Sequence, residues 1–214
     1  MKVSSFIKKS ALAACLAIGV QSYAVADDLH IIVDVSQSNP MLSNAAFVKR
    51  AAQYSAEQMS SLKLGDSILV QTFGELQSAK NLERYEYTLT RQKRKRIEKA
   101  VLHYIMTLPE RSEPQPSTNL LAWFNRNALD CQKAPKTILI LSDGIEASEY
   151  VNPNKLMAGK QSLPAPSEFV DVKGCNVVMF GLGAGRQDRE TTQLRKAWAQ
   201  YFNKAGARFT AIPL

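Results

Sequence analysis

Five short runs of this chain are apolar almost without interruption. They are residues 29–35 (LHIIVDV), 67–73 (SILVQTF), 136–143 (KTILILSD), 175–183 (CNVVMFGLG) and 207–214 (ARFTAIPL). Each is rich in Ile, Val, Leu or Phe and is bounded by turn residues, the pattern of strands buried on both faces. Between them lie segments with helical periodicity. Ala45, Val48, Ala52, Ala56 and Met59 share one helical face, and Ile97, Val101, Tyr104, Ile105 and Leu108 share another. Leu121, Phe124 and Ala128 form a third stripe; Leu194, Ala197, Trp198 and Tyr201 form a fourth. One segment breaks the rhythm. Residues 84–90 (RYEYTLT) alternate and follow the second run with no helix between, which predicts an antiparallel edge strand. The whole pattern predicts an α/β fold, doubly wound, with a mainly parallel six-stranded sheet and helices on both faces. Two stretches read as loops. Residues 109–118 hold Pro109, Pro114 and Pro116, and residues 147–174 carry one short helix near 153–159 before a Pro-rich extended segment.

The 214 residues suit one domain with a full core, once the start is set aside. Residues 1–26 open with Lys2, Lys8 and Lys9, continue with a short apolar run and end on small residues at Ala24 and Ala26. That order is a secretory signal peptide cleaved after Ala26, leaving residues 27–214 as the mature domain. A second reading of the same stretch, LAAC ending at Cys15, is a lipoprotein site. The leader looks bacterial, so the expected compartment is the periplasm. Losing the three lysines lowers the net charge from +8 to about +5. This balance does not suggest a nucleic-acid protein, and the densest basic run, Arg91–Lys99, lacks interleaved aromatics. That run reads as the solvated face of a helix, or as a weak contact for acidic lipid or protein.

Chemistry collects where the parallel strands end. Ligands of open α/β sheets sit beyond the strand C-termini, where strand order reverses. The first run ends in Asp34, with Ser36 and Ser38 at alternate positions after it. Asp143 ends the third long run, and Thr118 opens a helix after the Pro-rich loop. Two carboxylates and three hydroxyls form an all-oxygen set without His or Cys. Such a set suits Mg²⁺, or Mn²⁺ or Ca²⁺, rather than zinc or copper. Two carboxylates balance a divalent charge and leave room for one more from outside. Each part also has a plainer reading: helix caps for the serines and the threonine, a turn for Asp143-Gly144.

The three parts together, DVSQS (Asp34, Ser36, Ser38), STNLL (Thr118) and LSDG (Asp143, Gly144), resemble the metal-ion-dependent adhesion site of von Willebrand factor type A domains. The order of strands and helices from about residue 28 onward is similar as well. The resemblance implies that the serines and the threonine touch the metal. It implies that the aspartates act partly through water, and that a protein ligand completes the octahedron with its own Asp or Glu. The chain departs from the usual pattern at Gln37, Asn39, Pro40 and Ser117, none of them a ligand position.

The expected function is therefore an exported, divalent-metal-binding module for protein–protein interaction, not an enzyme. The alternatives are an envelope scaffold whose metal site is weak or vestigial, and a hydrolase. His30 and His103 are the mature chain's histidines, and neither is placed to serve Ser36 as a base. The GLGAGR stretch lacks dinucleotide-binding spacing. Glu146 and Glu149 follow Asp143 closely, as ordinary loop acids or as internal ligands for the open position. Cys131 and Cys175 precede consecutive strands, which predicts a disulfide at the sheet's opposite edge.

Overall fold

The computed structural model describes residues 27–213; the signal-peptide and Cys15 readings concern residues outside that span. Six strands form one sheet: β1 (Asp28–Asp34), β2 (Ser67–Phe73), β3 (Arg84–Thr88), β4 (Lys136–Leu141), β5 (Asn176–Phe180) and β6 (Arg208–Ile212). Their order is β3-β2-β1-β4-β5-β6. Every pairing is parallel except β2 with β3, so the hairpin edge expected from the alternating segment is present. Strand order reverses between β1 and β4, which opens a crevice at their C-terminal tips.

Helices cover both faces. On one, α1 (Ala45–Ser60) and α2 (Arg94–Arg111) pack on Ile31, Val33, Val70, Leu139 and Phe180. On the other, α3 (Leu120–Arg126), α4 (Pro153–Met157) and α5 (Asp188–Lys204) pack on Ile32, Ile138, Ile140, Val177 and Met179. Alternate residues of a central strand thus serve opposite cores, which explains why β1 and β4 read as unbroken apolar runs. No helix among the described residues is long and apolar enough to cross a membrane.

Three details differ from the pattern-based reading. The buried stripe of α1 is Phe47, Val48, Ala51, Ala52, Ser55 and Met59, while Ala45 is exposed. Phe47 turns inward because Gly181, at φ +96°, leaves the room. A Cβ there would lie 2.5 Å from the ring's Cζ. Ala128 is exposed because α3 stops at Arg126. The helix before the Pro-rich loop runs through Pro109 to Arg111, since a proline in a last turn removes only one late hydrogen bond.

Cys131 and Cys175 are joined by a disulfide, with Cα atoms 5.1 Å apart, within the usual span. It lies before β4 and β5, at the sheet edge away from the crevice. His30, near the same end of β1, is pushed down to about 4 by its burial.

Candidate metal site

Asp34 ends β1 fully buried, and both its oxygens are engaged. Oδ1 accepts the backbone N–H of Ser36 at 2.8 Å, and Oδ2 accepts the hydroxyl of Ser142 at 2.6 Å. The first bond folds DVSQS into a tight turn that carries the serines over the strand tip. There the hydroxyls of Ser36 and Ser38 lie 3.3 Å apart. Neighbouring ligands of an octahedral Mg²⁺ with bonds of about 2.0–2.1 Å sit about 3 Å apart, so the pair is spaced for one small cation.

These residues are not consumed as caps of α1. Asn44 is that cap, with its side chain accepting the N–H of Phe47 at 3.0 Å. Asn39, at a position where the chain departs from the family pattern, joins the two strand tips. Its Nδ2 donates to the carbonyls of Asp34 at 2.7 Å and Leu141 at 3.2 Å.

Asp143 lies two residues beyond β4 and is also fully buried. Its Oδ1 accepts the N–H of Ile145 at 3.0 Å, a turn that Gly144 completes at φ +75°. Its Oδ2 is buried and has no hydrogen-bond partner among the described residues. Hydrogen bonding from the Ser38 side chain opposes the rise that burial imposes on this carboxyl.

Thr118 is buried and comes to the same edge by backbone pairing. Its N–H donates to Ala147, and Ala147 returns the bond, both at 3.1 Å. It does not cap the helix; Asn119 holds the N-cap position of α3. The Pro-rich loop beside it is more regular than its prolines suggest. Gln115 pairs with Ser36 in a one-residue parallel bridge, its N–H donating to Val35 and its carbonyl accepting from Gln37. The loop is thus strapped along DVSQS.

Charge is the dominant feature of the crevice. Burial, reinforced by the charge of Asp143, pushes the Asp34 carboxyl up to about 7. Burial likewise raises Asp143, with Arg186 opposing the shift. Glu146 adds a third carboxyl that the sequence does not reveal as buried. Its Oε2 accepts the N–H groups of Leu120 at 3.0 Å and Leu121 at 3.4 Å, closing the start of α3. Its Oε1 has no hydrogen-bond partner among the described residues, and burial pushes the group up to about 8. Glu149, by contrast, is exposed. Ser142 and the bridging role of Asn39 were not anticipated from the sequence, and Glu146, named there as a loop acid or internal ligand, is buried, not exposed. A polar pair, Ser142-Asp143, closing an otherwise apolar strand was the one available signal.

Among the described residues no group of three or more His, Cys, Asp and Glu is arranged to hold a metal. A site here depends on hydroxyl ligands, and the residues fit one. The spaced serines, the orphaned Asp143 oxygen and two buried, mutually repelling carboxyls are an environment that suits a hard divalent cation.

No family model matches the chain, and no curated protein matches it. Among solved structures, it is similar to the pilus adhesin SpaC from Lactobacillus rhamnosus GG in its open conformation, with 13% identity and a TM-score of 0.49 over 89% of this chain. It is also similar to proximal thread matrix protein 1 from the mussel byssus, with 15% identity and a TM-score of 0.47 over 87% of this chain. The chain spans 28% of the adhesin's length and 44% of the matrix protein's.

Proposed function

We propose that the chain is an exported type A-like domain that holds a divalent cation, Mg²⁺ or else Mn²⁺ or Ca²⁺, at the β1 and β4 tips and binds a protein partner through it. The observation that carries this reading is the unpartnered, buried Oδ2 of Asp143 beside a hydroxyl pair spaced for one cation. Ser36, Ser38 and Thr118 would hold the ion through neutral oxygens. Asp143 and Asp34 would balance its charge, Asp34 through water because both its oxygens are already engaged. The bound ion supplies a Lewis-acid position for one further carboxylate, contributed by an Asp or Glu of the partner. The disulfide suits an oxidising compartment, and the periplasm is the proposed location.

A second reading has its own support. The hydrogen bonds to Asp34 and its raised pKa would also let a protonated Asp34 sit in a metal-free scaffold. Affinity capture from envelope extract separates the two. Capture in Mg²⁺ that disappears in EDTA, and in Ser36→Ala, supports the metal-mediated reading. Capture that is identical in EDTA supports the scaffold.

A further inference from the structure

Beside the cage, and sharing Ser38 with it, lies a cleft of about 640 Å³. Its walls come from the N-terminal halves of α1 and α5, from loop residues 182–186 and from Pro213. Three arginines line it: Arg50 of α1, Arg186 of the loop and Arg195 of α5. Asp188 is the one acid among the described lining residues, whose side chains together carry a net charge of +2. All three arginines are exposed, and among the described residues none forms an ion pair. The other cationic cluster on the surface, Arg91–Lys99, differs on this point, since its Arg94 is engaged by Glu98 and by backbone carbonyls. The helix starts at Asn44 and Asp188 add partial positive charge to the same space.

Cleft and cage are physically continuous. Ser38 lines the cleft while its hydroxyl pairs with that of Ser36 in the cage. The cleft's Gly183 donates its N–H to the carbonyl of Asp143 at 2.8 Å. A chain that delivers one carboxylate to the cage therefore enters or leaves past the arginines. Guanidinium groups bind carboxylates in a two-pronged, planar manner, and the volume falls in the range of peptide and ligand pockets.

We propose that this cleft is a second recognition subsite, which binds carboxylates of an acidic peptide segment whose adjoining carboxylate enters the cage. The inference rests on the cage being the partner's primary contact, yet the arginine subsite needs no metal. It makes the partner's local sequence acidic over several residues rather than at a single position. It also gives the encounter a salt-sensitive component.

The test uses fluorescein-labelled hexaglutamate as probe, with hexaglutamine as the neutral control, titrated by anisotropy in Mg²⁺ and in EDTA. The variants are R50Q/R186Q/R195Q, D143A, and K95Q/R96Q/K99Q, which removes the same charge from the competing run on α2. The arginine variant should bind hexaglutamate roughly tenfold more weakly in Mg²⁺ and lose the binding that remains in EDTA. D143A should lose the Mg²⁺ increment alone, and the α2 variant should change by less than about twofold. Equal wild-type affinity in Mg²⁺ and EDTA, still dependent on the arginines, would sink the metal reading and support the subsite. Unchanged affinity in the arginine variant would overturn the subsite, as would equal losses in the two triple variants. Displacement of the probe by inorganic phosphate at concentrations where acetate is inert would overturn the carboxylate assignment.

Discussion

Replacing Asp34 with Asn in the metal-free protein removes the electrostatic cost of burying that carboxyl beside Asp143. Burial and the neighbouring Asp143 charge raise Asp34 from 3.8 to about 7. A carboxyl raised in the folded state holds its proton longer there than in the unfolded chain. Its contribution is therefore fully present below the unfolded value and is lost as pH climbs through the folded one. That rise corresponds to roughly 4 kcal/mol in all. Of this, roughly 2–3 kcal/mol falls between about pH 5 and pH 8. For a domain of this size the loss lowers Tm by roughly 5–10 °C. Asp34→Asn keeps an oxygen for the Ser36 N–H and cannot ionise, so this component of the slope should vanish. Glu146, pushed up to about 8, contributes in the same direction and leaves the variant with a shallower decline. The assay is thermal melting in EDTA across that pH range for both proteins. Parallel curves for wild type and Asp34→Asn would show that Asp34 is not the strained group described.

Two further outcomes concern the frame around the site. C131A/C175A should lose about 2–4 kcal/mol in urea denaturation, and the unreduced, denatured wild type should titrate no free thiol in the mature chain. Arg94→Ala should cost about 1–2 kcal/mol by the same measurement, because Arg94 donates to the carbonyls of Met59, Ser60 and Leu62 and pairs with Glu98; Arg96→Ala should stay within about 0.5 kcal/mol.

The strands were legible because burial on both faces leaves a plain mark, a short run of Ile, Val and Leu. Alternation of strand and helix implied a parallel sheet but left open whether β1 and β4 are neighbours; the strand order supplies that adjacency, and with it the approach of Asp34 to Asp143. The buried face of α1 was harder. Ala45 and Phe47 compete for the inward position, and the choice is made by Gly181, far away in sequence, which leaves space for the ring. The same limit applies at the site. Asp34, Ser36 and Ser38 announce themselves by spacing within five residues. Ser142 and Asn39 make their contacts only once β4 lies beside β1, and the burial of Glu146 follows only when α3 docks over the crevice, which its place after Asp143 does not reveal. Thr118 reads in the sequence as a helix cap, whereas strand-like pairing with Ala147 holds it and Asn119 takes the N-cap position.

Melting curves of the wild type, Asp34→Ala and Asp143→Ala with and without millimolar Mg²⁺ test the central claim most directly. At a Mg²⁺ concentration about 100 times the dissociation constant, the wild type should gain about 2.7 kcal/mol, seen as a Tm rise of roughly 5–10 °C. Both alanine variants should fold and show no rise, and Mn²⁺ should act as Mg²⁺ does on the wild type. A wild-type Tm that is indifferent to Mg²⁺, Mn²⁺ and Ca²⁺ alike would contradict the account.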